Sequence, residues 1–198
     1  MPVSAPAGPS ARELERMALN INPGGWTVQG ARPIATLLGS CVAVCLFDPQ
    51  LRLAGMNHFL LPSRSASAMA DEDIILSGDY AMEVLRNAMY AQGASPARLV
   101  AKAFGGGNMV SSIRMAIGER NAEFARQWLE RENIPLLAFD FGGAWSRKVI
   151  VDPKSGDAFC RRNPITQPDV RAVLEAESAY ARSLHSKNSA SQQKIELF

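Results

Sequence analysis

The stretch at residues 34–47, IATLLGSCVAVCLF, constrains this chain more than any other. A strand with one wet face alternates apolar and polar residues, and this one hardly does, so it must be covered on both faces. Gly39-Ser40 interrupts it, which predicts a buried strand entered through a tight turn. Asp48-Pro49-Gln50 then breaks the run as a turn, and residues 51–61 follow as a second strand closed by Pro62. The two form an expected β-hairpin. The apolar run is far short of the roughly 20 residues that a membrane span needs. The first ten residues, MPVSAPAGPS, have neither the basic start nor the apolar core of a secretory signal. The expected compartment is the cytoplasm, where thiols stay reduced, with no membrane insertion.

A chain of 198 residues can bury a core without disulfide staples, and 47% hydrophobic content excludes a disordered polypeptide. A net charge of +2 gives no broad basic field, so nucleic acid is not an expected partner. With 3 Cys there is no four-thiolate zinc site and no paired disulfide framework, and the 2 His can be weighed one at a time. No metal or organic cofactor is expected.

Beyond the hairpin, residues 65–77 read as a surface loop and residues 79–92 as a helix, with Tyr80, Val84, Leu85, Ala88 and Met89 at helical spacing. Residues 98–104 read as a short strand before Gly105-Gly106-Gly107, residues 120–132 as a second amphipathic helix, and 136–141 as a strand. Residues 148–151 and 157–161 flank a Pro-Lys-Ser-Gly turn as another hairpin. Residues 167–184 read as a C-terminal helix. The mixture predicts one α/β (α+β) domain of mixed β-sheets with flanking helices.

The first hairpin sets up a chemical question. A two-residue loop at Pro49-Gln50 places Cys41 directly opposite His58, with Cβ atoms about 4.5–5.5 Å apart. Proline at the first turn position disfavours the primed turns of such loops. A longer loop shifts the register: a shift of one separates the two side chains to opposite faces, and a shift of two leaves a diagonal contact. A thiol beside an imidazole can give up its proton and act as a nucleophile. The backbone N–H groups at Ser40-Cys41 are candidates for holding an oxyanion, and Thr36 for orienting the imidazole. The bland alternative is a cysteine packed as a small hydrophobe. Cys45, four residues on, is about 13 Å away along a strand, too far for a disulfide; it reads as core and Cys160 as structural. His185 reads as solvated. The FGGGNM run at 104–109 lacks the Lys-Ser/Thr of a phosphate loop and reads as a tight strand-to-helix connection. Asp140-Phe-Gly-Gly143 reads as a rim of the site or a simple turn, Arg147 and Lys148 as a solvated strand face, and the helical Trp and Met residues as core.

Residues 36–46, TLLGSCVAVCL, resemble the signature of the CheD family, the bacterial chemoreceptor glutamine deamidases. The resemblance continues through Gly55-Met-Asn-His58 with Leu61-Pro62, Ala101-Lys-Ala-Phe-Gly-Gly106 with Met109, and Ile117-Gly-Glu-Arg-Asn121. It ends with Asp140-Phe-Gly-Gly143, Arg147 and Ser155-Gly156. It spans residues 20–162 and leaves 1–19 as a flexible N-terminal extension and 163–198 as a C-terminal helix and polar tail. Gly107-Asn108 departs from the small Ala expected after the two glycines. The resemblance implies a fold similar to cysteine hydrolases of the deamidating-toxin kind. It also implies Cys41, His58 and Thr36 as the catalytic residues, receptor glutamines as substrate through a thioester, and in some members a CheC-type phosphatase as partner. A non-catalytic docking module is the competing reading.

Overall fold

The computed structural model describes residues 9–61, 71–108, 111–164 and 168–192. The chain opens on α1 (Ala11–Met17), β1 (Leu19–Asn20) and β2 (Trp26–Gln29), then runs through β3 (Ile34–Leu38), β4 (Val42–Asp48) and β5 (Leu53–Asn57). There follow α2 (Asp71–Ala91), β6 (Val100–Gly105), α3 (Ser111–Arg131), β7 (Leu136–Phe141), β8 (Trp145–Val151), β9 (Ala158–Pro164) and α4 (Pro168–Gln192). Two sheets result, one in the order β1-β3-β8-β9 and the other β2-β5-β4-β6-β7. The expected α/β class, with mixed sheets and flanking helices, is what forms.

Residue parity along the central strands explains the layers. In β4, Val42, Val44 and Leu46 face Leu85 and Met89 of α2 and Trp128 of α3. Cys41, Ala43 and Cys45 face the opposite way, into a core shared with Ile34 and Leu38 of β3, Ala54 and Met56 of β5 and Val149 of β8. Side chains alternate sides with a period of two. A strand buried against helices on one side and a second sheet on the other therefore reads as continuously apolar. A smaller cluster packs Leu14 and Ala18 against Ala35 and Ile150 on the outer face of the first sheet.

The apolar run at 34–47 is two strands, not one. β3 pairs with β8 in the first sheet, and β4 pairs with β5 and β6 in the second. Residues 39–41 carry the chain from one sheet to the other, and their carbonyls are all tied from one side. Gly106 N–H donates to the Cys41 carbonyl and Gly107 N–H to that of Gly39, both at 2.8 Å. Asn121 Nδ2 donates to the Ser40 carbonyl at 2.9 Å. The glycine run after β6 thus cradles a backbone crossing, as a tight connection does. Gly105 sits at φ +122°, and a Cβ there would lie 2.1 Å from the Cys41 carbonyl oxygen.

The first hairpin takes a longer loop than the two residues assumed. Asp48 pairs with Leu53 and Cys45 with Met56, so residues 49–52 form the turn. Proline cannot enter a primed turn, and Asp48 organises the larger loop instead. Its Oδ1 accepts from Gln50 N–H at 3.0 Å and Leu51 N–H at 3.2 Å, and Arg98 pairs with its Oδ2 at 2.8 Å. The hydrogen bond from Arg98 outweighs burial and, with those from the backbone, holds this carboxyl at about 2.

Other expectations shift. Residues 71–77, expected in a loop, belong to α2, while 65–70 lie outside the described residues. Within the expected flexible extension 1–19, residues 11–17 form a helix. Ser10 caps α1 in a reciprocal capping box with Glu13, and Leu14 is buried. Arg147 is not solvated: it is fully buried, paired to Asp140 at 2.9 Å, while Arg162 pairs to the same carboxylate at 2.9 Å. Burial pushes Asp140 up, but Arg162 and Arg147 prevail and hold it at about 2. Lys148 is half-buried on β8, its Nζ donating to Asn20 Oδ1 at 2.9 Å.

Gly105→Ala combines a backbone clash with a φ that L-residues avoid. It is expected to lower unfolding free energy by about 3 kcal/mol or more, read as a shift of the urea midpoint at unchanged m-value.

Candidate active site

Parity on three strands decides which side chains meet. Thr36 shares the inter-sheet side of β3 with Ile34 and Leu38, and His58 continues the side of β5 that carries Ala54 and Met56. Cys41 leaves the crossing toward the same layer. The hairpin register, continued by the bridge between Val42 and Phe59, is shifted by two from direct opposition of Cys41 and His58. The pair is therefore diagonal on one face, the contact that a shift of two leaves. The ladder opens at this point because Asn57 turns its side chain into it. Asn57 Oδ1 accepts from Val44 N–H at 2.9 Å, and its Nδ2 donates to the Ala81 carbonyl at 3.0 Å.

Thr36, Cys41 and His58 are all buried. Thr36 Oγ1 lies 2.8 Å from His58 Nδ1 and 2.9 Å from the Ile21 carbonyl. A hydroxyl has one proton. With that proton on the Ile21 carbonyl, the Thr36 oxygen accepts from Nδ1–H. The imidazole then carries its proton on Nδ1 and presents a bare lone pair at Nε2, which has no partner among the described residues. This is the tautomer that a general base needs toward a thiol.

Sequence reasoning missed the residue that completes the cluster. Glu177 of α4 is buried and brings its carboxylate to Cys41 and His58, the three donor atoms lying within 4.8 Å of one another. Its Oε1 accepts from Gly39 N–H at 2.7 Å and Cys41 N–H at 3.1 Å. Its Oε2 accepts from Ser40 N–H at 2.9 Å and Ser40 Oγ at 2.8 Å. All three amides of the crossing point at one carboxylate, while all three carbonyls are held from the other side. Among the described residues Cys41, His58 and Glu177 form the one such three-donor cluster. Both carboxylate oxygens are already spent on N–H and O–H donors, so the donor set is that of an anion site rather than a cation cage. The sequence signal for Glu177 was its place in the stripe Leu174, Glu177, Ala181, Leu184 of the last helix, where an acid interrupts an apolar face. Asn121, which also accepts from Leu61 N–H at 3.0 Å, stood in the sequence only as the last residue of the Ile117-Gly-Glu-Arg-Asn121 motif.

The electrostatics follow from burial and from that carboxylate. Burial drives the Cys41 thiol well above its ordinary value, and the charge and hydrogen bonding of Glu177 drive it further. Burial lowers His58 to about 4 against the opposing pull of Glu177. With α4 in place the pair is a neutral thiol beside a neutral imidazole. Cys45 is buried core, its thiol raised to about 12 by burial. Cys160 faces Asp140 at 3.7 Å on β9, away from the cluster. The side chain of His185 lies outside the described residues.

The fold and site define a mixed α/β class of protein, two mixed sheets with flanking helices, in which a buried cysteine, a buried histidine and three convergent backbone amides meet. The family model for CheD chemotactic sensory transduction matches residues 60–162. A Dechloromonas aromatica protein named probable chemoreceptor glutamine deamidase CheD 2 is 53% identical over 190 residues, covering 95% of this chain and 96% of its own. A Burkholderia thailandensis protein of the same name is 43% identical over 171 residues, covering 85% and 87%. Shewanella oneidensis CheD 1, also named a probable chemoreceptor glutamine deamidase, is 41% identical over 191 residues, covering 94% and 90%. This chain belongs to the CheD family. Among solved structures, Bacillus licheniformis hypothetical protein YfiH aligns with 58% of this chain and 49% of its own, at 17% identity and a TM-score of 0.36.

A histidine at about 4 in the fold and 6.5 unfolded takes up its proton first in the unfolded chain. Stability is therefore lost as pH falls from about 6.5 toward 4 and is flat in this respect above 6.5. At pH 5 the loss from His58 amounts to about 2 kcal/mol. Urea unfolding at pH 7 and pH 5 should show it, and His58→Asn should remove that part of the pH slope.

Proposed function

We propose that this protein hydrolyses glutamine side-chain amides of chemoreceptors to glutamate, with Cys41 as nucleophile, His58 as acid and base, and Thr36 positioning His58. The observation that carries this reading is the convergence of the Gly39, Ser40 and Cys41 amides on a carboxylate beside Cys41. Those donors fit an oxyanion at the same place. The reaction needs Cys41 open to a substrate carbonyl. The thiol proton passes to His58 Nε2, and the thiolate attacks the amide carbon. The amides of Ser40 and Cys41, joined by that of Gly39, hold the oxyanion. His58 returns the proton to the amide nitrogen, ammonia leaves, and a glutamyl thioester remains. His58 then takes a proton from water, the hydroxide attacks the thioester, and the carboxylate product departs as the thiol regains its proton. Nothing in this sequence calls for a metal or cofactor.

The names of the relatives support the substrate, and the hydrogen-bonded Thr36–His58 pair supports the base. No described helix is long and apolar enough to cross a membrane. Wild-type protein mixed with receptor cytoplasmic fragments should convert glutamine to glutamate, read by peptide mass spectrometry. Cys41→Ala should abolish conversion, and its survival in that variant would sink the mechanism. Thr36→Val leaves Nδ1–H unpartnered and should lower kcat by about 10²-fold with a smaller effect on KM. Binding of the fragment without conversion would leave a docking module.

A further inference from the structure

α4 packs Tyr180 and Ala181 against the layer between the two sheets. Its buried acid Glu177 reaches the space that any substrate must occupy, and it does so with the side chain that the proposed reaction would produce. Glu177 presents a γ-carboxylate on two methylenes, as a product glutamate does. Four donors saturate it, two on each oxygen. A glutamine in that pose would set an NH2 group against at least one N–H donor, so the resting site prefers the carboxylate. The helix is held around this contact by modest packing. The Tyr180 ring lies over Gly24, where a Cβ would come within 2.4 Å of it. Beside Glu177 a cavity of about 310 Å³ remains between α4 and the body, lined among others by Ser40, Leu60 and Ile117. With α4 seated, Cys41 is 0% exposed, so no protein substrate reaches it.

We propose that α4 is a tethered product analogue: Glu177 occupies the position of the product glutamate, and the groove under α4 is the docking site for a substrate helix that presents its glutamine the same way. This rests on the deamidase reading above. The occupant is specified by what already sits there, a helix offering one buried γ-carboxyl side chain flanked by small and apolar residues one turn away, Leu174 and Ala181. A receptor helix must displace α4 to react, and the product carboxylate left behind competes with Glu177 for the same amides.

The test uses the full chain with Glu177→Ala, Tyr180→Ala and Glu177→Gln, each checked for wild-type unfolding behaviour. Iodoacetamide should alkylate Cys41 at least about tenfold faster in Glu177→Ala and Tyr180→Ala than in wild type, with Cys45 unchanged in all three. The same two variants should convert a receptor fragment faster than wild type. Glu177→Gln, incubated alone, should revert: Cys41 displaces ammonia from the introduced amide, water releases the carboxylate, and the peptide shows the mass change of an NH2-to-OH exchange. Cys41→Ala in that background should preserve the amide. Unchanged Cys41 alkylation in both loosened variants would overturn the proposal while leaving deamidation untouched. So would loss of receptor conversion in a folded Glu177→Ala, because Glu177 would then belong to the catalytic machinery. Persistence of the introduced amide in a Glu177→Gln protein that deamidates the fragment would overturn the product position. Faster alkylation with no conversion by any variant would overturn the substrate groove together with the deamidase reading, leaving α4 as a cover for Cys41.

Discussion

Everything at the site depends on how the chain crosses from one sheet to the other at residues 39–41. A crossing interrupts two hydrogen-bond ladders, and buried backbone groups must still find partners. Here the carbonyls are satisfied from one side, by Gly106, Gly107 and Asn121. That leaves the amides aligned on the other, and it is their alignment that makes a site. The glycines after β6 are required because this loop must lie against the crossing at van der Waals distance, closer than a Cβ at Gly105 allows. The same contact fixes the cysteine, since Cys41 is the last residue of the crossing and the first to enter the layer between the sheets.

Burial and charge then set the chemistry in opposite directions. Dry surroundings suppress both the thiolate and the imidazolium, and the Glu177 charge raises the thiol further while partly restoring the histidine. In the closed form neither partner ionises near neutrality. At the thiol burial is the larger of these penalties and the Glu177 carboxylate the smaller, so in the proposed displacement of α4 the removal of one side chain would lift the smaller penalty while opening access to Cys41. Thr36 reaches His58 Nδ1 and the Ile21 carbonyl without any contact to Glu177.

How far the residues announce this arrangement differs from one to the next. The unbroken apolar run signals burial on both faces, and parity along β3, β4 and β5 puts Thr36, Cys41 and His58 in one layer. The diagonal rather than direct meeting of Cys41 and His58 is not legible, because the loop length turns on Asp48 and its partner Arg98, 50 residues away. The burial of Arg147 is likewise hidden. A charged residue on a strand reads as solvated until its partners are known, and Asp140 and Arg162 are joined to it only by the folding of β7, β8 and β9. The helix at 11–17 is hidden in a segment that reads as an extension, since composition reports solubility and not docking.

Amino-acid order is enough to set the class of fold, the family and the three residues whose proximity the strands enforce, because alternation along a strand is a local property. The state of the site belongs to the assembled molecule. Glu177 lies 136 residues from Cys41 and meets it only after two sheets, a glycine loop and the last helix have come together around a crossing whose amides needed an acceptor.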